Sequence, residues 1–269
     1  MGKLPSSPIL DATLDENNVA RLTMNRPERH NAFNAELIAA LHQAFTAVAN
    51  MPAVRAVVLR GEGKSFSAGA DLEYMKSAGG WTDEENQQDG RRLSDMLQSI
   101  STCPAPVIAV AKGGVYGGGV GLIACSHMVV AIDGATFRLS EVRLGLTPAT
   151  ISPFVISALG PRRSRQLFMS AEPFGASEAE AWGLVHRAVA DEKAADAQVA
   201  TWVDLILEAA PGAVTAAREL VDDYAGREIT DELRADSAKR IAKRRASAQG
   251  REGLSAFLEK RKPNWNPDA

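Results

Sequence analysis

The chain reads Val115-Tyr116-Gly117-Gly118-Gly119-Val120-Gly121, and Leu139-Ser140-Glu141-Val142 follows at the end of a short β-type segment, residues 135–139. Three consecutive glycines before an apolar, helix-like run predict a backbone that approaches another group closely and leaves N–H groups free. N–H donors aimed at a developing negative charge, together with one carboxylate, suffice for proton chemistry beside a carbonyl. The stretch therefore predicts a tight turn into a helix N-terminus near Val120 and a carboxylate, Glu141, that can work with it.

A second run of small residues is Phe66-Ser67-Ala68-Gly69-Ala70-Asp71-Leu72. Asp71 is a candidate N-cap for the helix that follows. Small side chains in both segments let a ligand lie against the main chain, and a helix N-terminus favours negative charge. One N–H from each segment would make a two-donor oxyanion hole. Tight strand-to-helix turns that bind nothing are the alternative interpretation.

The composition indicates an ordinary globular chain, long enough for a substantial core in one domain or in one domain with an appendage. Of its 269 residues, 45% are hydrophobic and 23% are charged, and the net charge is −3. An acidic chain is not typical of nucleic-acid-binding proteins. No apolar run approaches the roughly 20 residues of a membrane span. We expect a cytoplasmic protein with neither a nucleic-acid partner nor a membrane partner.

The cysteines and histidines predict no metal site. Cys103 and Cys125 lack a metal-ligand spacing, so we expect free, buried thiols in a reducing compartment. No paired motif occurs among the four histidines, which are His30, His42, His127 and His186.

Strands alternate with helices through about position 190, which predicts α/β layering with largely parallel pairing. From about Glu192 onward the pattern is helical, so we divide the chain into an α/β body, residues 1–199, and a C-terminal helical region, residues 200–269. The expected strands are residues 9–13, 19–24, 54–60, 107–110, 128–132 and 184–189. The expected helices of the body are residues 34–50, with Asn34 as N-cap, then 83–101 and 153–170.

Several separate motifs together resemble the enoyl-CoA hydratase/isomerase (crotonase) superfamily over nearly the whole chain. Besides residues 66–72 and the glycine run, they are Asn25-Arg26-Pro27 with Asn31-Ala32, Pro106-Val107-Ile108-Ala109, Leu139-Ser140-Glu141, Gly145-Leu146-Thr147-Pro148, Ala181-Trp182-Gly183-Leu184-Val185 and residues 252–261. The resemblance implies the crotonase spiral of ββα units with a C-terminal helical trimerisation region. It also implies an acyl-CoA thioester as substrate, a homotrimer or homohexamer, and no metal or redox cofactor.

The resemblance assigns roles to individual residues. Ala70 and Gly118 would supply the backbone donors for the thioester oxygen, with Glu141 as the acid/base. The residues expected to border or bind coenzyme A are Arg29, Ala68, Asp71, Leu72, Phe257 and Lys260, besides the two donors. Phe257 and Lys260 match C-terminal positions that contact the adenosine portion, often from a neighbouring subunit.

One position departs from the family pattern. Two-glutamate hydratases carry a glutamate two residues after the triple glycine, where this chain has Gly121. Only Glu141 remains, so one carboxylate must move both protons, or a water held by other groups must substitute. Desolvation would raise the pKa of Glu141 and suit it to act as a base near neutral pH. The alternative is a surface glutamate paired with Arg138 or Arg143.

Residues 139–155 lack the glycine-rich stretch that short-chain hydratases carry and resemble the branch acting on branched or carboxylated enoyl-CoA esters, such as 3-methylglutaconyl-CoA. A substrate carboxylate would need a cation in the acyl pocket. The candidates are Lys76, Arg91, Arg92, Arg138 and Arg143.

The expected activity is that of a lyase, an enoyl-CoA hydratase that adds water across the α,β double bond. A Δ3,Δ2-enoyl-CoA isomerase is the alternative, because a single glutamate can move a proton between C2 and C4. A non-catalytic acyl-CoA-binding or RNA-binding scaffold is a further alternative. The basic residues that would support it are Lys239, Arg240, Lys243, Arg244 and Arg245.

Overall fold

The main sheet begins with a β-hairpin in the computed structural model, which describes residues 3–269. β1 (Leu10–Leu14) and β2 (Val19–Met24) pair in antiparallel fashion, and each lies within one residue of its expected range. The Asp15 carboxylate closes the turn between them, because its Oδ1 accepts the N–H groups of Asn17 and Val19 at 3.0 and 2.9 Å.

The remaining elements follow in chain order over the described residues. The further strands are β3 (Ala56–Gly61), β4 (Val107–Ala111), β5 (Gly114–Tyr116), β6 (Met128–Ile132), β7 (Thr136–Arg138), β8 (Phe174–Gly175) and β9 (Arg187–Val189). The helices are α1 (Ala35–Ala49), α2 (Leu72–Ala78), α3 (Asp83–Ser101), α4 (Gly118–Cys125), α5 (Ser152–Ser170), α6 (Ala176–Ala181), α7 (Glu192–Glu208), α8 (Pro211–Tyr224), α9 (Asp231–Arg245) and α10 (Ala248–Glu259).

Two sheets organise the first part of the chain. The larger has the strand order β1-β2-β3-β4-β6-β9, and every pair from β2 onward is parallel. The smaller has the order β5-β7-β8. All five residues of β4 are buried, as expected for a parallel strand with both faces covered. The predicted α/β layering with largely parallel pairing is therefore confirmed.

Helix α1 packs against β1, β2 and α3, and both helices bury faces that the apolar spacing predicts. The Asn34 side chain caps α1 by accepting the Leu37 N–H at 2.9 Å. Thr82 and Glu85 form a reciprocal capping box at the start of α3. The buried residues of the two helices include Leu37, Ile38, Leu41, Phe45, Val48, Met96, Leu97 and Ile100.

Three predicted boundaries are wrong by two residues or more, for local reasons. β3 begins at Ala56 and not at residue 54, since the Val54 N–H donates to the Met51 carbonyl and closes a turn. α4 begins at Gly118, two residues before the expected Val120. The N–H of the first residue of a helix has no partner within that helix, so Gly118 can take this position.

The last strand begins at Arg187 and not at residue 184. The N–H groups of Leu184 and Val185 both donate to the Ala179 carbonyl at the end of α6, so these residues close a helix.

The chain divides into two compact units, one ending at Ala200 and the other comprising Thr201–Ala269. The second unit is helical. Within it, Trp265 Nε1 donates to the Glu208 carbonyl at 3.0 Å, and Arg240 pairs with Asp223 at 2.6 Å. In the part of the chain that the structure describes, no single helix is both long and apolar enough to cross a membrane, although α7 and α8 reach that length and composition as a bent pair.

Asn31 connects the loop after β2 to the loop after β3. Its side chain is fully buried, and its Oδ1 accepts the Arg26 N–H at 2.9 Å. Its Nδ2 donates to the carbonyls of Glu62 and Ser65, both at 2.9 Å. Its φ of 52° lies in the left-handed region, which asparagine tolerates better than most residues. One buried side chain thus pairs with three backbone groups of the loops that surround residues 66–72.

We predict that Asn31→Ala lowers the free energy of unfolding by about 3 kcal/mol, because it leaves several buried polar groups unpaired. The measurement is the urea-unfolding midpoint. The matched control is Asn50→Ala, whose exposed Nδ2 donates to the Thr46 carbonyl and whose loss should cost about 0.5 kcal/mol or less. Equal losses for the two variants would contradict the role assigned to Asn31.

Candidate active site

The two segments of small residues lie directly against each other. Ser67 forms a parallel bridge with Val115, in which its N–H donates to the Gly114 carbonyl at 3.2 Å and its carbonyl accepts the Tyr116 N–H at 2.9 Å. A Cβ on Gly69 would lie 2.7 Å from the Tyr116 carbonyl oxygen, closer than real Cβ atoms come. The contact therefore requires glycine at position 69.

Each residue of the triple glycine meets a different neighbour. A Cβ on Gly119 would lie 2.6 Å from the Ser67 carbonyl oxygen, and one on Gly118 would lie 2.6 Å from the Phe33 ring. Gly117 has a φ of 48°, and a Cβ on it would lie 3.0 Å from Glu141 Oε1. Consequently, the glycines bring the loops, the aromatic ring and the carboxylate together.

The amide groups of Ala70 and Gly118 are available to a ligand. The Phe33 N–H donates to the Gly69 carbonyl, and the Asp71 N–H donates to the Phe33 carbonyl. This parallel bridge turns the Ala70 N–H away from Phe33. Gly118 is the first residue of α4, so its N–H has no partner in the helix. Neither amide donates a hydrogen bond within residues 3–269, and both residues line one cavity.

Asp71 holds the loop of Ala70 in place. Its carboxylate caps α2 by accepting the N–H groups of Glu73 and Tyr74, and it pairs with Arg26 at 3.1 Å. Burial alone would raise the pKa of Asp71, but the hydrogen bonds from Arg26 and from the two amides outweigh it and lower that pKa. The predicted cap is confirmed. The carboxylate faces Arg26 and α2, and the role of Asp71 toward coenzyme A stays a prediction.

Glu141 is half-buried at the cavity wall, where it begins a 3₁₀ turn, Glu141–Leu144. Its Oε2 is shielded from solvent and has no hydrogen-bond partner among the described residues. Burial raises the pKa of the carboxyl, as the sequence analysis expects. The alternative pairing is not observed, because Arg138 donates to the Ala171 carbonyl at 2.9 Å and Glu141 forms no ion pair within residues 3–269.

The cavity has a volume of about 330 Å³ and lies within the first unit. Much of its wall is apolar and includes Ile38, Met75, Leu93, Leu144, Leu146 and Ile151. Among the described residues, the charged side chains of the wall are Glu141 and Asp89, and Tyr74 lies beside Asp89. Such a chamber fits an apolar acyl group whose carbonyl reaches the two free amides.

The cation expected in the acyl pocket is not there. None of the five candidates lines the cavity. Arg91 pairs instead with Asp95 at 2.8 Å, and Arg138 bonds to a backbone carbonyl. Helix periodicity explains the first case, since Arg91 and Asp95 are one turn apart on the outer face of α3. Residues 3–269 also hold no group of three or more histidine, cysteine or acidic residues placed to bind a metal.

The other predicted residues fall into two sets. Ala68 and Leu72 line the cavity, and Leu72 is 77% exposed at its rim. Arg29 lies at the surface, where it approaches Glu73 at 3.5 Å. Phe257 and Lys260 belong to the second unit, on α10 and at its left-handed C-cap, and Phe257 is 81% exposed. Their roles toward coenzyme A stay predictions.

Several residues of the wall were not singled out from the sequence, among them Tyr74, Asp89 and Ile151. Tyr74 and Asp89 lie in polar helices where no pattern distinguishes them from solvated residues. Ile151, however, lies within residues 139–155, the segment that lacks the glycine-rich stretch of short-chain hydratases. A Cβ on Gly121 would lie 2.5 Å from Ile151 Cγ2, so isoleucine occupies the space beside the missing glutamate. In this chain, the side chain of Ile151 therefore leaves no room for a side chain at position 121.

Known proteins resemble this chain along almost its whole length. The family model described as enoyl-CoA hydratase/isomerase matches residues 15–268. A mevalonyl-coenzyme A hydratase of Aspergillus fumigatus, sidH, is 33% identical over 93% of this chain and 92% of its own length. A crotonyl-CoA hydratase of Syntrophomonas wolfei is 32% identical over 93% of this chain and 95% of its own.

A solved structure is similar in fold as well. The Legionella pneumophila protein, provisionally named an enoyl-CoA hydratase/isomerase (crotonase), is 41% identical. It superimposes with a TM-score of 0.91 over 97% of this chain and 100% of its own. The predicted crotonase fold class is thereby confirmed.

We predict that Glu141→Gln raises the thermal unfolding midpoint at about pH 7, and that the gain shrinks at about pH 4. The raised pKa means that the charged carboxylate is disfavoured in the folded state. That penalty is present above the pKa of the unfolded chain and vanishes below it, where both states hold the neutral acid. A gain that does not change with pH would contradict the assigned burial of this carboxylate.

A double-mutant cycle tests the packing of Gly121 against Ile151. Gly121→Glu should lower stability through the close contact, and Ile151→Gly should lower it through a cavity. The double variant should be more stable than the sum of the two losses predicts, by about 1 kcal/mol or more. Strict additivity in urea unfolding would show that Ile151 does not fill the position.

Proposed function

Because this chain belongs to the enoyl-CoA hydratase/isomerase family, we propose that it is an enoyl-CoA hydratase, a lyase that adds water across the α,β double bond of an acyl-CoA thioester. The observation that carries the proposal is the half-buried carboxylate of Glu141, with its unpartnered Oε2 on the same cavity wall as the two free amides. The carboxylate and the two N–H donors that the proposed reaction needs thus belong to residues of one cavity wall.

The two amides would act on the thioester carbonyl. Attack of water at C3 moves an electron pair toward the carbonyl oxygen, so negative charge develops there. The N–H groups of Ala70 and Gly118 would stabilise this enolate-like state, and one such donor is typically worth about 3 kcal/mol. The Arg26–Asp71 pair contributes indirectly, because it holds the segment that presents the first donor.

Glu141 would move both protons. As a carboxylate it takes one proton from the attacking water, and as the resulting acid it returns a proton to C2 when the enolate collapses. Its raised pKa helps the first step, since a more basic carboxylate takes a proton from water more readily. The thioester itself supplies the electron sink, so the proposed reaction requires neither a metal nor a redox cofactor.

The proposed reaction class does not specify the acyl group. The names of the relatives give crotonyl-CoA for one and mevalonyl-CoA for another, so membership of the family leaves the acyl group open. Residues 139–155 favour a branched or carboxylated group by their resemblance to the branch that acts on such esters. The wall of the cavity supports an uncharged group instead, because its charged residues are acidic.

An isomerase is the second candidate, and one observation favours it. Ile151 fills the space beside Gly121, so the side of the cavity where a second carboxylate would act is apolar. A single carboxylate is sufficient to move a proton from C2 to C4. No contact of the described residues favours the RNA-binding alternative, since Arg240 is paired with Asp223 and Asp236.

We further propose a homotrimer or homohexamer built through the second unit. This unit exposes large apolar side chains, including Val221, Ile229, Leu254, Phe257 and Leu258. Sedimentation velocity at micromolar concentration should give a trimer or larger species, and Leu258→Asp should weaken it. A wild-type chain that sediments only as a monomer would contradict this proposal.

We predict that Glu141→Gln lowers turnover by about 100-fold or more, because general acid–base groups contribute on that scale. The assay follows crotonyl-CoA and a 3-enoyl-CoA by the absorbance of the conjugated thioester and by product mass. A product carrying one added water identifies a hydratase, and an unchanged mass with a migrated double bond identifies an isomerase. Binding of coenzyme A should survive the substitution.

The control for this experiment is Glu36→Gln, an exposed glutamate in the first turn of α1. It makes the same chemical change away from the cavity and should retain full turnover. If Glu141→Gln also retains it, Glu141 is not the acid/base. If the wild-type protein binds coenzyme A but converts no enoyl-CoA, the proposed activity is wrong.

A further inference from the structure

Helices α2 and α3 place a polar pair in the otherwise apolar wall of the cavity. α2 starts at Leu72, directly after the segment that holds Ala70, and Tyr74 lies in its first turn. Asp89 and Leu93 are one turn apart on α3, and both line the cavity. The Tyr74 hydroxyl donates to Asp89 Oδ1. The pair and the oxyanion amides therefore border the same chamber.

The pair is held by neighbours that leave it facing the chamber. The ring of Trp81 packs edge-on against Tyr74, with 5.3 Å between ring centroids. Arg92 Nη1 lies 4.0 Å from Asp89 Oδ1, and the side chain of Asp89 is only 21% exposed. Asp89 thus has a nearby positive charge on the solvent side, so a bound group need not neutralise it.

The hydrogen-bonding capacity of the pair is one-sided. Burial, and then the hydrogen bond to Asp89, raise the pKa of the Tyr74 phenol well above its usual value, so it stays protonated. Its one proton is directed to Asp89. What remains is acceptor capacity, namely a lone pair on the phenol oxygen and the second carboxylate oxygen. The pair can therefore accept a hydrogen bond from a ligand, but it has no proton left to donate to one.

We propose that Tyr74 and Asp89 form a specificity site that binds a hydroxyl group carried by the acyl chain and that disfavours an acyl chain ending in a carboxylate. The inference rests on the proposed function, because it requires the acyl part of the thioester to occupy this cavity. A hydroxyl group donates one hydrogen bond. It suits Asp89 as the acceptor, because Arg92 already lies near the charge of that carboxylate. A carboxylate would bring acceptors and like charge toward Asp89.

A matched set of saturated thioesters tests the site without depending on turnover. The probes are 5-hydroxypentanoyl-CoA, pentanoyl-CoA and glutaryl-CoA, which differ only at the end of the acyl chain, with coenzyme A as the reference. Calorimetry on the wild-type protein should give a dissociation constant for the hydroxyl probe about tenfold lower than that for pentanoyl-CoA, since a hydrogen bond to a charged group is worth at least this much. Glutaryl-CoA should bind about tenfold more weakly than pentanoyl-CoA.

Asp89→Asn removes the charge and keeps the shape. It should reduce the hydroxyl preference to about threefold or less and should improve binding of glutaryl-CoA. The matched control is Asp95→Asn on the same helix, whose carboxylate pairs with Arg91 outside the cavity. This control should leave all ratios unchanged.

The outcomes separate the two proposals. Equal binding of the hydroxyl and unsubstituted probes by the wild type overturns the specificity site, even if Asp89→Asn fails to fold. An unchanged ratio in a folded Asp89→Asn protein overturns it as well. If enoyl-CoA turnover is absent but the hydroxyl preference is present, the proposed reaction is wrong and the recognition site stands. If neither coenzyme A nor any probe binds, both proposals are wrong.

Discussion

The approach of residues 66–72 to the triple glycine without intervening side chains is the constraint on which the rest of the site depends. The Ser67–Val115 bridge allows no Cβ at Gly69 or Gly119. The same closeness directs the Ala70 and Gly118 amides into one cavity and sets Glu141 against Gly117. Asn31 and the Arg26–Asp71 pair stabilise the loops around this contact, because each pairs with polar groups of those loops.

The electrostatics of the cavity follow from what packs around two carboxylates. Glu141 has an oxygen without a partner, and burial favours its neutral form. Asp89, in contrast, accepts a hydrogen bond from the Tyr74 phenol and has Arg92 nearby. Two acidic groups in one chamber are thus suited to different tasks, one to move protons and the other to accept a hydrogen bond. The distinction comes from their neighbours, since both are carboxylic acids of similar intrinsic acidity.

Sequence alone predicted the elements whose signals are local. The bounds of α3 and β6 agree with the structure, because a capping box starts the one and a run of apolar residues forms the other. The small sheet of β5, β7 and β8 was not predicted as a sheet, since its strands are two or three residues long and pair across distant parts of the chain. Glu141 and the two amides were found because motifs mark them. Tyr74 and Asp89 were missed because their significance arises only when α2 and α3 pack together, which no spacing along the chain reveals.

The packing of Ile151 against Gly121 has a consequence for how such a chain can change over generations. A glutamate at position 121 meets an isoleucine methyl, and a glycine at position 151 opposite Gly121 leaves empty space. Each single substitution toward a carboxylate at position 121 therefore gives a less stable protein, although the two substitutions together need not. Selection for stability would keep glycine at position 121 even where a carboxylate there would be useful. The absence of a carboxylate at position 121 is in that sense inherited with the packing of Ile151 against Gly121.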